Sequence, residues 1–229
     1  MEFQVQDRGA FSWALVKLKP GDQLVSEAGA LFRVSSNINI DVTTRSGKSG
    51  GLMAGLKRML AGEHFFLSSY TVTDNADAEV GLAPTLQGQV HLINCDGQRN
   101  WICSGGSYMA SASSLELNTQ FQGFKGVFTG ESLFYVAVSG KGPMLVSAFG
   151  RITEIDLDGA LVVDTGHVVA FEDSLQYTIG KVTKGLIQTA MTGEGLVMNF
   201  KGRGKLYVQS HNPTQFGNKL GPLLPPRRA

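Results

Sequence analysis

Glycines recur in three parts of the chain with similar spacing, and this recurrence constrains the fold more than any other feature. In each part an alternating apolar stretch ends in a turn dipeptide, namely Pro20-Gly21, Asp96-Gly97 and Asp158-Gly159. Proline presets the first turn position, and Asp-Gly readily adopts a positive φ. A second glycine follows seven to nine residues later, at positions 29, 106 and 166. The pattern therefore indicates three turn-rich repeats.

Two further features follow these turns in the same order. Apolar residues occupy alternate positions in Ile38–Ile40, Leu115–Leu117 and Leu175–Tyr177, as expected for half-buried strands. A Gly-Glu pair then precedes an apolar strand, at Gly62-Glu63, Gly130-Glu131 and Gly193-Glu194. The sequence thus predicts an all-β fold in which residues 1–210 form one domain, with repeats at 11–84, 86–147 and 148–210.

Each repeat is expected to contain about five short strands, too few to cover both faces of its sheets. The repeats must therefore cover one another, which predicts packed β-sandwiches with an internal pseudo-threefold arrangement and very little helix. Residues 211–229 include four prolines and form a separate tail. Within this tail, Phe216 and Leu220 are expected to anchor one turn before an extended end.

The composition favours a turn-rich fold over a disordered chain, and it argues against nucleic acid as a partner. Glycine supplies 29 of the 229 residues and proline only 7, which favours tight turns between strands. Lys and Arg total 20 and Asp and Glu total 19, so the net charge is +1. A nearly neutral chain is a poor match to a polybasic nucleic-acid binder. Lys201, Arg203 and Lys205 nevertheless alternate along one expected hairpin, whose turn is predicted at Gly202–Gly204. RNA binding is accordingly a less favoured alternative.

The N-terminus and the cysteines predict a reduced, cytoplasmic protein. Residues 1–7 include Glu2 and Asp7 but no basic segment followed by an apolar one, so no secretory signal is expected. No apolar run is long enough for a membrane-spanning helix. Cys95 and Cys103 are too few to build a disulfide framework, and Cys95 falls where the third repeat has Leu157. This correspondence predicts that Cys95 is a small apolar filler.

Familiar catalytic and metal-binding patterns are missing from the sequence. Gly47-Lys48-Ser49 lacks the upstream glycine of a phosphate-binding loop, and Cys95 and Cys103 with His91 are too few ligands for a closed zinc site. No nucleophile elbow is present, and the other repeats have no histidine where the third has His167. We therefore assign no catalytic residue, metal or cofactor from the sequence, and we expect no enzymatic activity.

Three glutamates occupy the same place in the three repeats, and they are Glu63, Glu131 and Glu194. Each carboxylate is expected to accept backbone N–H groups in its turn or to pair with a nearby cation, and this is the favoured interpretation. In a sharper alternative, the three carboxylates meet on an internal axis and bind a hard cation such as Ca²⁺ or Mg²⁺. The sequence leaves both interpretations open.

The first repeat carries an insertion around Arg45–Ala61. Its apolar residues fall at helical spacing beside two basic ones and form a candidate interaction surface: Leu52, Met53, Leu56, Lys57, Arg58, Met59 and Leu60. We expect a short amphipathic helix that packs on its own sheet or contacts a protein partner, a second copy or a membrane surface. Because sandwich repeats leave open strand edges, we also expect a small closed homo-oligomer, with a trimer favoured over other states.

Several of these motifs occur together in one family. They are Lys57-Arg58 followed by Gly62-Glu63, the segment Asp164–Phe171, and Gly193–Val197. In this order, and over nearly the whole chain, they resemble the mitochondrial-biogenesis family named for altered inheritance of mitochondria. The resemblance implies a fold similar to the tryptophan RNA-binding attenuation protein (TRAP) and, for fungal members, a role in mitochondrial inner-membrane organisation. It implies no catalytic residue. Because its N-terminus does not resemble a mitochondrial transit sequence, the chain resembles a bacterial cytoplasmic member of the family.

Two classes of function fit this sequence. The favoured class is a non-enzymatic scaffold or binding protein that acts through its surface and the Arg45–Ala61 insertion. The alternative is a small-ligand or metal-binding β-module with its site between repeats. The lack of a set of acid, base and nucleophile favours the first class.

Overall fold

The structure is a computed structural model, and it describes residues 1–7, 9, 11–43, 66–121, 134–181 and 196–225. Within these ranges the chain consists mainly of antiparallel strands, with one short α-helix near its end. The predicted all-β class is therefore confirmed. Burial follows the sequence pattern, since Ala14, Val16 and Leu18 alternate along one strand and are fully buried.

The first part of the chain forms seven strands, β1 (Glu2–Gln6), β2 (Trp13–Leu18), β3 (Gln23–Glu27), β4 (Leu31–Val34), β5 (Ile38–Thr43), β6 (Leu67–Val72) and β7 (Ala78–Leu82). Four of them make a sheet of order β1-β2-β7-β4. The other three pair in the order β5-β6-β3 and begin a second sheet.

The middle part forms six strands, β8 (Val90–Asp96), β9 (Trp101–Ser104), β10 (Tyr108–Ala112), β11 (Glu116–Phe121), β12 (Phe134–Ser139) and β13 (Lys141–Ser147). Three of them complete the second sheet, whose order is β5-β6-β3-β10-β13-β8. The other three begin a third sheet in the order β11-β12-β9. The middle part therefore shares a sheet with each of its neighbours in the chain.

The last part forms the long strands β14 (Ile152–Asp164) and β17 (Leu196–Gln209), with β15 (Val168–Glu172) and β16 (Gln176–Lys181) between them. They complete the third sheet, β11-β12-β9-β15-β17-β14, and β16 also pairs with β17. A 3-10 helix, Thr165–His167, connects β14 to β15. Helix α1 (Pro213–Leu220) and a 3-10 helix (Gly221–Leu223) follow the last strand.

Two turns predicted in the last repeat are wrong. β14 runs through Asp158-Gly159, and β17 runs through Gly202–Gly204, so two long strands replace shorter ones separated by turns. Gly159 pairs with Gly202, and their φ values are +135° and +117°. Because glycine tolerates these angles, two paired strands can bend at the same point and keep their hydrogen bonds.

Within the described residues, the buried apolar side chains form three clusters, which include Tyr108, Leu82 and Phe171 respectively. Both cysteines lie in the first cluster, where their thiols are free. Burial raises the pKa of the Cys95 thiol to about 11, so this thiol stays protonated near neutral pH. The placement supports the apolar filler role that the sequence predicts for Cys95.

Helix α1 is capped at its start and packed through one aromatic ring. Asn212 Oδ1 accepts the backbone N–H groups of Thr214 and Gln215 at 2.9 and 3.2 Å. The Phe216 ring lies 5.2 Å from the Phe149 ring, centre to centre. The turn predicted around Phe216 is thus an eight-residue helix. Across the described ranges, the helices fall short of the length and apolar character that crossing a bilayer requires.

Candidate functional site

Three turns, one from each part of the chain, line a single cleft. They follow the last residues of β3, β9 and β14, which are Glu27, Ser104 and Asp164. The first two turns close in the same way, because Ala30 N–H donates to Glu27 O and Ser107 N–H donates to Ser104 O, at 3.4 and 3.0 Å. The third turn is the 3-10 helix between β14 and β15.

The turns require glycine for two different reasons, a positive φ in two of them and a lack of space for a side chain in the third. Gly29 and Gly106 have φ values of +95° and +80°, a conformation that most side chains disfavour. At Gly166 the constraint is space, since a Cβ there would lie 2.2 Å from Nδ2 of Asn212. Asp164 Oδ1 accepts the Gly166 N–H at 2.8 Å and closes this turn. The second recurring glycine of the sequence therefore marks the cleft.

The cleft has a volume of about 690 Å³, which is within the usual range of small-molecule sites. Its described lining mixes apolar residues, among them Met109, Phe134 and Val168, with polar ones such as Ser104 and Ser107. Glu27 is the only acidic or basic side chain among the described lining residues. A cleft that combines apolar surface with polar groups can bind small organic molecules.

Partial burial of Glu27 raises the pKa of its carboxyl group to about 7. The physical cause is desolvation, because a carboxylate that loses water becomes harder to ionise. Near neutral pH the group is therefore divided between its neutral and charged forms. A cation placed beside it would shift this balance towards the carboxylate.

Two more polar atoms near the cleft, Ser104 Oγ and Asp164 Oδ2, are buried without a hydrogen-bond partner among the described residues. Ser104 belongs to the cleft lining, and Asp164 directly precedes the lining residue Thr165. A buried polar atom without a partner costs free energy, so such atoms are normally satisfied by protein, water or ligand. With Glu27, these atoms place hydrogen-bond acceptors at the ends of three strands.

Other polar groups at the cleft already have partners and hold the turns in place. Gln209 Nε2 donates to Gly166 O at 2.8 Å, and Gln209 Oε1 accepts the Phe149 N–H at 2.8 Å. His167 Nδ1 lies 2.7 Å from Gln209 O, within hydrogen-bond distance. This contact gives His167 a structural role, in line with the sequence interpretation.

We expect the Glu27→Gln variant to be more stable than the parent protein at about pH 8 and equally stable at about pH 4. The ordinary glutamate pKa of 4.5 applies to the unfolded chain, whereas the folded pKa is about 7. The folded state therefore binds the proton more tightly, and stability is lost as the pH rises from the first value to the second. The expected gain at high pH is at most about 3 kcal/mol.

Urea unfolding at the two pH values measures this difference. Glu116→Gln is the matched control, since Glu116 is exposed on β11. A gain for Glu27→Gln that is the same at both pH values would contradict the assigned desolvation.

The glutamates and the insertion surface that the sequence singles out lie outside the described residues and stay predictions. They are Glu63, Glu131 and Glu194, together with Leu52, Met53, Leu56, Lys57, Arg58, Met59 and Leu60.

Basic residues of the third repeat are paired with acids across β14 and β17. Arg203 lies 2.9 Å from Asp158 Oδ2, and Lys205 contacts Glu154. Because these ion pairs neutralise the charge of the basic side chains, the surface is less suited to binding the phosphate groups of a nucleic acid.

Sequence reasoning does not single out Glu27, Ser104 or Asp164 as a group. The available signal was small: each is a polar residue two positions before a recurring turn glycine, at position 29, 106 or 166. Polar residues before turn glycines are common in proteins, since their side chains bond to turn backbone. These three residues differ from other polar residues before turn glycines because their turns meet at one cleft, which only the structure shows.

Comparison with known proteins shows similarity over nearly the whole chain. Residues 3–211 match the family model described as mitochondrial biogenesis AIM24. An uncharacterized protein of Streptococcus pyogenes serotype M6 is 30% identical over 232 residues, covering 98% of this chain and 92% of that protein. The crystal structure of a Streptococcus pyogenes protein has a TM-score of 0.82 and 29% identity, covering 97% of this chain and 99% of that one.

Proposed function

We propose that this chain, which belongs to the mitochondrial biogenesis AIM24 family, is a non-enzymatic binding and scaffold protein with a ligand site in its cleft. The observation that carries the proposal is that the turns after Glu27, Ser104 and Asp164 meet at one cleft, which has both apolar and polar lining residues. The desolvated carboxyl group of Glu27 favours a ligand that donates hydrogen bonds and carries a positive charge. We assign the ligand to the class of small amines with an apolar body.

The remaining lining supports this ligand class. Met109, Phe134 and Val168 offer apolar surface to the body of such a molecule. A positively charged head would stabilise the ionised form of Glu27 and release part of its desolvation cost. Phosphates and carboxylates fit poorly, because the described lining residues include no positively charged side chain.

Addition of n-butylamine at about pH 8 is expected to raise the Tm of the parent protein and to leave that of Glu27→Gln unchanged. At about ten times its dissociation constant the amine stabilises by about 1.4 kcal/mol, which is about 3 °C for a chain of this size. n-Butanol and n-butyrate are the matched probes without the charge and with the opposite charge. The control variant Glu116→Gln should respond as the parent does.

An equal response of the parent and Glu27→Gln, or an equal response to n-butanol, would overturn the assignment of an amine. Native mass spectrometry of the untreated protein gives an independent result. A retained small mass supports a ligand site, whereas protomer multiples alone would favour a purely scaffolding role.

The three repeats predicted from the sequence, and the likeness to TRAP that the family resemblance implies, are part of this proposal. In each predicted repeat (11–84, 86–147 and 148–210) the first and last strands pair with each other: β2 with β7, β8 with β13, and the start of β14 with the end of β17. Isolated parallel bridges join Phe11 to Gly88 and Gly88 to Gly150, at the starts of the three parts. Both features support an internal pseudo-threefold arrangement.

The proposal extends to location and assembly. Buried free thiols at Cys95 and Cys103 suit a reducing compartment, which supports a cytoplasmic location. Open strand edges in the described sheets support a small closed homo-oligomer, with a trimer as the first choice. The Arg45–Ala61 insertion is the second proposed interaction surface, and it would contact a protein partner or a membrane surface.

A further inference from the structure

Helix α1 begins at the cleft. Its first two residues, Pro213 and Thr214, belong to the cleft lining together with Gln209 and Gly166. Gly166 lies in the third turn, and Gln209 is the last residue of β17. The start of the helix therefore forms a wall of the ligand site beside the third turn, whereas its later residues do not line the cleft.

One side chain joins the helix to the third turn. Asn212 is buried, and its Oδ1 caps the helix by accepting the N–H groups of Thr214 and Gln215. Its Nδ2 donates to Asp164 Oδ1 at 3.1 Å, and the same Asp164 oxygen accepts the Gly166 N–H that closes the turn. The helix cap and the cleft turn therefore share one amide group, so a movement of either is transmitted to the other.

A second contact joins the helix to the cleft lining through aromatic rings. Phe149 lines the cleft, and its ring lies 5.2 Å from the Phe216 ring and 5.1 Å from the His211 ring, centre to centre. His211 N–H also donates to Phe149 O at 3.2 Å. Phe216 therefore holds α1 against a residue of the cleft lining itself.

The body of the helix is loosely held. None of the eight residues of α1 is buried, and 46% of Phe216 and 40% of Leu220 are exposed. Strand β17 ends at Gln209, before the helix begins, so α1 can detach without breaking any strand pair. A segment with few buried contacts opens at a low cost in free energy. The docked helix is therefore a part of the cleft wall that can open while the sheets stay intact.

We propose that helix α1 is a movable wall of the ligand cleft, and that its docking through Asn212 and Phe216 is coupled to ligand binding. The ligand is the amine of the proposed function, on which this inference rests. A ligand that fills the cleft contacts Pro213 and Thr214 only while the helix is docked, so it stabilises the docked form. Coupling between two binding equilibria is reciprocal, so release of the helix weakens ligand binding by the same factor.

Undocking the helix tests the coupling from one side. Phe216→Ala removes the ring that rests on Phe149 and should raise the dissociation constant of n-butylamine about fivefold or more at about pH 8. Asn212→Ser should do the same, because serine still caps a helix but its shorter side chain cannot also reach Asp164. Leu223→Ala is the matched control, since Leu223 follows the helix and is 80% exposed. Isothermal titration calorimetry measures each constant.

A change in the turn tests the coupling from the other side and needs no ligand. A Cβ on Gly166 would lie 2.2 Å from Nδ2 of Asn212, so Gly166→Ala pushes this amide away. Hydrogen exchange of the α1 amides should then become about fivefold faster or more. Gly180→Ala is the matched control, because nothing lies within 4 Å of a Cβ at that position.

Hydrogen exchange of Phe216→Ala completes the test. Exchange should become faster at residues 164–167, while the amides of β2 keep the protection of the parent. Parent-like exchange at that turn, or parent-like exchange of α1 in Gly166→Ala, would overturn the coupling of helix and turn. If the parent binds no n-butylamine, the amine assignment of the proposed function fails, and the two exchange measurements alone decide the coupling. Equal binding of the amine by the parent, Phe216→Ala and Asn212→Ser would overturn the movable wall and leave the cleft proposal standing.

Discussion

Replacement of Gly88 by alanine is expected to destabilise the protein by about 3 kcal/mol or more. A Cβ at this position would lie 1.7 Å from the carbonyl oxygen of Ala148 and 2.7 Å from its carbonyl carbon. Both atoms belong to backbone, so no change of rotamer can relieve the overlap. Gly88 O also accepts the Ser12 N–H at 3.1 Å, and the residue bridges Phe11 and Gly150. Relief of the clash must therefore separate segments from all three parts of the chain.

Urea unfolding measures the effect, and Gly217→Ala is the control. Gly217 lies in helix α1 with nothing within 4 Å of an added Cβ. Alanine is favoured over glycine in a helix by about 0.5–1 kcal/mol, so this variant should be slightly more stable than the parent. If Gly88→Ala unfolds at the parent midpoint, the close approach of the three parts at Gly88 is wrong.

Truncation of Phe171 to alanine is expected to cost about 3–5 kcal/mol. Phe171 is fully buried on β15, which joins β9 of the middle part to β17 of the last part. Its ring lies 5.1 Å from the ring of Tyr177 and 5.1 Å from the ring of Phe200, centre to centre. The variant loses these contacts and leaves a cavity where two parts of the chain meet.

Phe11→Ala is the matched control for this prediction, because Phe11 is 71% exposed. Thermal unfolding of the two variants side by side gives the comparison. A Tm for Phe171→Ala as close to the parent as that of Phe11→Ala would refute the assigned core.

The all-β class and several of the turns, such as those at Gly29 and Gly106, could be predicted from the sequence. Ala14, Val16 and Leu18 alternate in β2 because side chains on a strand point to opposite faces in turn. Gly29 and Gly106 mark turns because few other residues adopt their positive φ. These are local properties of the chain, so they are visible in the order of its residues.

The same local reasoning failed at two glycines, because a glycine with a positive φ can either end a strand or lie within one. Gly159 and Gly202 have positive φ values, and the sequence predicts turns at both. In the structure they lie opposite each other within two continuous strands. Whether a positive-φ glycine ends a strand or lies within it depends on the residue that faces it, which is 43 positions away in the chain here.

The sequence by itself determined the strands, their alternating burial and the glycines at the turns, since each depends on a residue and its near neighbours. The tertiary structure alone decided that Glu27, Ser104 and the turn after Asp164 share one cleft, and that Glu27 has a pKa of about 7. It also decided that Asn212 joins helix α1 to the third turn. Desolvation, cleft shape and helix docking arise from contacts between distant segments, and no local pattern of residues encodes which segments meet.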